Sequence, residues 1–124
     1  MPVLIDSDIL IEVSRRRDDS VIEKWVKLSQ STLLPICSPV TVAEIWHGAR
    51  PNEYDSLDAL FRVLECVSID REIGRAAGEF MRQFGRSHAV ELGDALIAAT
   101  AVRCDALLWT RNRKHYPMKE LKFF

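Results

Sequence analysis

Three acidic residues occupy positions where a parallel α/β fold would bring chemically active groups together. Asp6 directly follows the apolar run Val3–Ile5, which is typical of a strand buried on both faces. Glu44 falls in the first turn of a predicted helix after the second strand, and Asp94 opens the helix leading into the fourth. In open α/β sheets, such groups gather beyond the carboxyl ends of the strands. Carboxylates gathered there repel one another unless a cation lies between them, and Mg²⁺ or Mn²⁺ suits an all-oxygen site.

Two neutral polar residues, Thr110 and Asn112, directly follow the fourth predicted strand. At the same sheet edge they could orient the groups around a metal ion. No His or Cys in the chain has the spacing of zinc ligands. The pattern therefore favours a hard divalent ion held by oxygen.

Each acid also has a purely structural interpretation. Asp6 could cap the first helix, and Asp94 could interact favourably with a helix N-terminus. Thr41 and Glu44 have the spacing of a capping box at the start of the third helix. Asp70 is placed to cap a long helix. These alternatives stay open on spacing alone.

Composition describes an ordinary globular chain. Its 124 residues are 48% hydrophobic and 28% charged, with a formal net charge of −1, so bulk charge does not indicate a nucleic-acid binder. We expect one domain over residues 1–124. No run approaches the roughly 20 apolar residues of a membrane span, and the N-terminus lacks signal-peptide features, so we expect a cytoplasmic protein. The three cysteines are widely separated among apolar neighbours, and we expect all three to be buried.

Apolar runs alternate with helical patterns, which predicts a three-layer α/β/α fold with a mostly parallel central sheet and helices on both faces. We expect an Asn52-capped helix in mid-chain, a connecting loop over 86–92 and a central Ala-rich helix over 93–104. The predicted strands are Val3–Ile5, Leu33–Cys37, Cys66–Ile69, Ala106–Trp109 and Leu121–Phe124.

Four segments together resemble the PIN domain, and more closely the VapC toxins of toxin–antitoxin pairs. The resemblance runs almost from end to end and in the expected order. It is carried by Ile5–Leu10, Val42–Ile45 followed by Gly48, Asp94–Ala101, and Leu108–Pro117.

This resemblance implies a Mg²⁺- or Mn²⁺-dependent ribonuclease that is usually homodimeric and is neutralised by a small antitoxin. The acidic metal positions of the family map to Asp6, Glu44 and Asp94. A fourth family position, often Asp, is Asn112 here, which removes one charge and would hold a second metal ion less firmly. Glu44 could hold the attacking water or take its proton, and in-line attack would leave a 5′-phosphate and a 3′-hydroxyl.

The residues that bind the RNA substrate must lie outside the acidic centre. Basic residues beyond the fourth strand and on the predicted loop before Asp94 could bind an RNA backbone: Arg86, His88, Arg111, Arg113 and Lys114. Trp25, Trp46 and several aliphatic residues exceed the needs of a small core, and some could form a dimer face or an antitoxin groove.

Three other functions fit parts of the pattern. A haloacid-dehalogenase-like phosphatase would use the Asp-x-Asp spacing of Asp6 and Asp8, although its usual continuation is missing. A receiver-type signalling domain would use Asp70, Thr110 and Lys114. A PIN protein weakened by Asn112 could instead bind RNA or an antitoxin without catalysis.

Overall fold

The computed structural model describes residues 1–124 and contains one five-stranded sheet in which every pairing is parallel. The strand order is β3-β2-β1-β4-β5. The strands are β1 (Pro2–Ile5), β2 (Leu34–Cys37), β3 (Glu65–Cys66), β4 (Leu107–Trp109) and β5 (Lys122–Phe123). The helices are α1 (Ser7–Arg15), α2 (Asp19–Ser29), α3 (Pro39–Gly48), α4 (Tyr54–Arg62), α5 (Arg71–His88) and α6 (Leu92–Arg103). Short 3₁₀ turns cover Pro51–Glu53 and Arg113–His115.

Strand β1 lies at the centre of the sheet and is buried on both faces. Val3, Leu4 and Ile5 are each 0% exposed. Because successive strand residues point to opposite faces, Leu4 joins the core beneath α5 and α6, whereas Val3 and Ile5 join the core beneath α1 to α4. The predicted three-layer fold with a parallel sheet is therefore confirmed.

Helix α6 is the central Ala-rich helix that the sequence predicts. Its buried residues run almost around its whole circumference, and Ala95 and Ala98 are 0% exposed. Small side chains allow the neighbouring elements to approach closely, so Asp94 in the first turn of α6 is carried on a rigid support.

Helix α3 begins earlier than predicted, and the proposed capping box is wrong. Ser38 caps the helix, since its Oγ accepts the Val40 N–H at 3.1 Å, and Pro39 occupies the first helical position, which suits its fixed φ. Thr41 is instead fully buried, and its hydroxyl has no hydrogen-bond partner. Glu44 consequently lies in the second turn of α3 rather than the first.

The predicted loop over 86–92 is largely helix. Helix α5 continues to His88 and ends where Ala89 adopts a left-handed conformation, with φ of 52°. The segment contains no proline, and packing against α6 overrides the weak helix propensity of Gly85. Arg86 and His88 therefore lie in the last turn of α5. Asp70 caps this helix as predicted, accepting the Ile73 N–H at 2.9 Å.

Three smaller expectations also differ from the structure. Asn52 lies in the turn Pro51–Glu53, and α4 has no side-chain cap. Strand β3 is only two residues long, and because it forms a sheet edge, Cys66 is exposed. Cys104 is partly buried, so full burial holds for Cys37 alone, and all three thiols are free.

None of the helices combines the length and apolar character needed to cross a bilayer.

Replacing Thr41 with Val tests where α3 is capped. Valine matches the shape of threonine and removes a buried hydroxyl that has no partner, so we expect the free energy of unfolding to stay equal or to rise by up to about 1 kcal/mol. Ser38→Ala should lower it by about 1 kcal/mol through loss of the cap. Urea denaturation of both variants decides the point, and an equal loss in Thr41→Val would contradict the assignment of the cap to Ser38.

Candidate functional site

A cavity of about 430 Å³ lies beyond the carboxyl ends of β1 and β4. We call it the acidic cavity because five carboxylates line it: Asp6, Asp8, Glu44, Glu91 and Asp94. They come from the end of β1, from α1, from α3 and from the start of α6. The parallel sheet thus brings the three predicted acids, Asp6, Glu44 and Asp94, to one place, and Asn112 lines the same cavity.

Asp6 is the most firmly held of these groups and is only 7% exposed. Its Oδ1 accepts the Ser7 N–H at 2.9 Å at the start of α1. Its Oδ2 accepts the Thr110 hydroxyl at 3.0 Å and the Tyr116 hydroxyl at 2.8 Å. Three donors therefore fix the orientation of this carboxylate at the cavity wall.

Thr110 lies behind Asp6 and connects it to the loop that follows β4. Its side-chain oxygen donates to Asp6 and also accepts the Asn112 N–H at 3.1 Å. Thr110 is buried and does not line the cavity, whereas Asn112 is exposed and does. The position of Asn112 is thus tied to that of Asp6 through one hydroxyl.

The charges of the cavity destabilise one another. Burial, and next to it the charges of Asp6 and Asp94, raise the pKa of Glu44. Burial likewise raises the pKa of Asp94, opposed by His115, whose Nδ1 lies 3.9 Å from Asp94 Oδ1. Burial is the main cause of both shifts, and both carboxylates therefore accept protons more readily than they would in water.

Sequence reasoning missed Asp8 and Tyr116 as parts of this site. Asp8 Oδ2 accepts the Arg111 N–H at 2.9 Å, and its Oδ1 is buried without a partner. Burial raises the pKa of Asp8 and that of the Tyr116 phenol. The spacing of Asp8 from Asp6 signals a second acid, but it fits a helix cap equally well. Nothing in the local sequence marks Tyr116, which is 110 positions from the carboxylate it contacts.

None of the five predicted basic substrate residues lines the acidic cavity. The guanidinium of Arg111 is bound to Asp18 at 3.1 Å and to Glu12 at 3.5 Å, so it anchors its loop to α1 and the start of α2. Arg113 lies over the Phe123 ring at 4.7 Å. Lys114 is exposed on its turn, and Arg86 and His88 lie at the end of α5.

The donor set fits a hard divalent cation. Every charged ligand candidate is a carboxylate, and the unpaired Asp8 Oδ1 is a polar atom in need of a partner. No three His, Cys, Asp or Glu side chains are arranged closely enough to hold one ion together. Mg²⁺ does not require such a cage, because it keeps several water ligands and is commonly bound through one or two carboxylates.

Replacing Asp94 with Asn should stabilise the metal-free protein at pH 7. The pKa of Asp94 is raised on folding, so the stability linked to its proton is present below its ordinary pKa and is lost as the pH rises through the raised value. The advantage of the variant should therefore be seen at pH 7 and vanish below about pH 4. Denaturant titrations in EDTA across this range measure it.

Asp55→Asn is the matched control, since Asp55 also lies in the first turn of a helix but is exposed and remote from the cavity. It should show no stabilisation at pH 7. An Asp94→Asn variant that is less stable than Asp55→Asn at pH 7 would show that the fold does not disfavour the charge of Asp94.

Comparison with known proteins identifies the family of this chain. A model of the PIN domain matches residues 3–121. The chain is 38% identical over 122 residues to ribonuclease VapC10 of Mycobacterium tuberculosis, covering 95% of this chain and 88% of the relative.

Two solved structures show the same fold. VapBC2 from Rickettsia felis, bound to a promoter DNA fragment, superimposes with a TM-score of 0.86 at 20% identity, covering 100% of this chain and 98% of that one. A toxin–antitoxin complex from Klebsiella pneumoniae gives 0.78 at 21% identity, covering 96% and 94%. The chain therefore belongs to the PIN domain family, with the VapC proteins among its relatives.

Proposed function

We propose that this protein is a divalent-metal-dependent endoribonuclease that acts as the toxin of a toxin–antitoxin pair. The observation that carries the proposal is the convergence of Asp6, Glu44, Asp94 and Asn112 from separate segments on one cavity at the sheet edge. The similarity to a protein named ribonuclease VapC10 supports the choice of RNA as substrate.

Asp6 and Asp94 would hold Mg²⁺ or Mn²⁺, with Glu44 at the rim of the cavity. When bound, the ion supplies charge neutralisation at the phosphate and an acidified water as the nucleophile. Asp6 contributes a carboxylate that three donors already orient, so little ordering remains to be done on binding. Asp94 contributes from the first turn of a rigid, buried helix.

Glu44 is suited to accept a proton. It is exposed on α3, which leaves it accessible to water, and its raised pKa makes it a better base than an isolated carboxylate. Asn112 is uncharged, so its amide can donate to a phosphate oxygen or accept from a water without adding to the repulsion. Attack in line with the leaving oxygen would give a 5′-phosphate and a 3′-hydroxyl.

An antitoxin is the proposed protein partner. An apolar groove of about 640 Å³ runs between α1, α2 and α4 and includes Trp25, while Val26 and Val63 on its border are 43% and 62% exposed. Such a surface suits the apolar face of a helix. The toxin–antitoxin complex of the same fold from Klebsiella pneumoniae supports this partner class. Homodimer formation and a cytoplasmic location belong to the same proposal.

The other functions suggested by the sequence fit less well. A receiver domain requires Asp70 at the site, yet Asp70 caps α5 and does not line the acidic cavity. The phosphatase pattern leaves Glu44 and Asp94 without a role. A PIN protein that binds RNA without cleaving it would have the same fold and the same cavity but no catalytic activity. A measurement of RNA cleavage therefore separates the two.

Asp6→Asn and Asp94→Asn should each lower RNA cleavage at least about 100-fold, because a catalytic ion contributes several kcal/mol to the transition state. Single-turnover cleavage of labelled RNA in Mg²⁺ measures this, with Asp55→Asn as the control that keeps full activity. Mn²⁺ should raise the melting temperature of the wild type but not that of Asp94→Asn.

Three results would contradict the proposal. Cleavage that persists in EDTA would exclude the ion, and products ending in a 2′,3′-cyclic phosphate would exclude attack by water. Tight RNA binding without cleavage by the wild type, at any Mg²⁺ or Mn²⁺ concentration in the millimolar range, would favour the non-catalytic alternative.

A further inference from the structure

A second polar cavity lies at the opposite end of α1 from the acidic cavity. Its volume is about 400 Å³, and no hydrophobic residue lines it. We call it the arginine basin, because Arg15, Arg17 and Arg50 line it together with one carboxylate, Glu53. Arg15 and Arg17 are each paired with a carboxylate, so Arg50 gives the basin its excess of positive charge. Every charged residue lining the acidic cavity except His115 is acidic.

The basin is pre-organised by two ion pairs. Arg17 Nη2 lies 2.7 Å from Glu12 Oε1, and Arg15 Nε lies 3.3 Å from Glu53 Oε2. Each contact engages one of the five N–H donors of its guanidinium. The side chains of Arg15 and Arg17 remain 36% and 59% exposed, so further donors face the solvent.

Arg50 is the free cation of the group. Its backbone N–H donates to Glu53 Oε1 at 3.1 Å, but its guanidinium makes no ion pair within 4 Å. The Glu53 carboxylate therefore ties the backbone of residue 50 to the side chain of Arg15. Glu53 thus fixes the backbone from which the Arg50 side chain extends.

A narrow cleft of about 50 Å³ between α1 and α3 lies between the basin and the acidic cavity, and it is too small to admit an RNA strand. Glu44 borders both the cleft and the acidic cavity, while Ser14, Arg15 and Glu53 border both the cleft and the basin. Helix α1 begins at Ser7 beside the acidic cavity and ends at Arg15 beside the basin. At 1.5 Å per residue, the two ends lie roughly 12 Å apart along the helix axis.

We propose that the arginine basin binds phosphate groups of the RNA substrate outside the scissile bond, with the strand crossing the protein surface alongside α1 between the basin and the acidic cavity. The inference rests on the proposed ribonuclease function and assigns it a substrate-binding site. Guanidinium groups match phosphate oxygens with paired donors, and the basin offers them in a wholly polar setting.

RNA suits both ends of this path better than an acidic peptide does. At the basin either polyanion finds cations, but at the acidic cavity a peptide carboxylate meets five others. For a phosphodiester at that end, the divalent ion of the proposed reaction would offset the charge of these carboxylates. Of the basic residues expected to bind RNA near Thr110, Arg111 and Arg113 are engaged elsewhere, which leaves Lys114 as a single exposed cation there.

Arg50→Gln is the most informative substitution, because it removes a cation without breaking an ion pair. We expect it to weaken binding of a short single-stranded RNA about 3- to 10-fold at low salt. The slope of log Kd against log salt should fall by about 0.7 for each phosphate group that the variant no longer binds. Fluorescence anisotropy in an Asp94→Asn background, which prevents cleavage, measures both, and Arg82→Gln on exposed α5 should change neither.

Cleavage by the otherwise wild-type enzyme provides a second readout. Arg50→Gln should raise KM and leave kcat nearly unchanged, with an unchanged melting temperature.

If the wild type cleaves RNA but Arg50→Gln binds and cleaves as the wild type does, the basin proposal fails and the ribonuclease proposal stands. If the wild type neither binds nor cleaves RNA, the proposed function fails and the basin proposal with it. If Arg50→Gln weakens binding of poly-glutamate but not of RNA, the basin is a docking site for an acidic protein segment, which overturns the proposal.

Discussion

The structure depends on holding one buried carboxylate, Asp6, in a fixed orientation. Its three donors come from the residue next in the chain and from two residues more than 100 positions away. This convergence requires β1 and β4 to be adjacent and parallel, which they are, with Ile5 opposite Trp109. The backbone N–H of Asp6 also donates to the Trp109 carbonyl at 3.0 Å and so continues the strand pairing up to the site. The pairing of β1 with β4 that completes the sheet therefore also places the donors that hold Asp6.

A carboxylate that is ionised and nearly buried is costly unless it is well bonded. Asp6 accepts three hydrogen bonds, whereas burial raises the pKa values of its neighbours Glu44, Asp94 and Asp8. Unfavourable charges of this kind are tolerated at functional sites because a ligand relieves them. The unfavourable free energy of these buried charges is offset elsewhere in the fold, chiefly by two apolar cores on opposite faces of the sheet.

Features set by local chemistry and periodicity could be predicted from the sequence. The apolar run before Asp6 and the Ala-rich helix after Asp94 indicated the central strand and the central helix, and the parallel sheet then brought the acids together. Local signals failed where two interpretations competed. The Thr41–Glu44 spacing matched a capping box, but Ser38 and Pro39 start the helix earlier. The role of Tyr116 could not be predicted, because it depends on a contact between the two ends of the chain.

Charge in this small protein is divided between separate regions, although the total is close to zero. Acidic groups occupy the sheet edge, and arginines surround the far end of α1. Net charge alone therefore conceals two regions of opposite charge, for which we propose a metal ion and a polyanion as ligands. Proximity along the chain to a site residue is a poor guide to RNA-binding cations, since Arg111 lies between Thr110 and Asn112 but stabilises its own loop through Asp18 and Glu12.

The location of a bound metal ion is the decisive observation for the acidic cavity. Crystals of the protein soaked in Mn²⁺, with diffraction recorded at the manganese absorption edge, would show where the ion binds. We predict an anomalous peak in the acidic cavity in contact with the carboxylates of Asp6 and Asp94. An acidic cavity that stays without a peak at saturating Mn²⁺, in a crystal where these side chains are ordered and open to solvent, would contradict the proposed metal site.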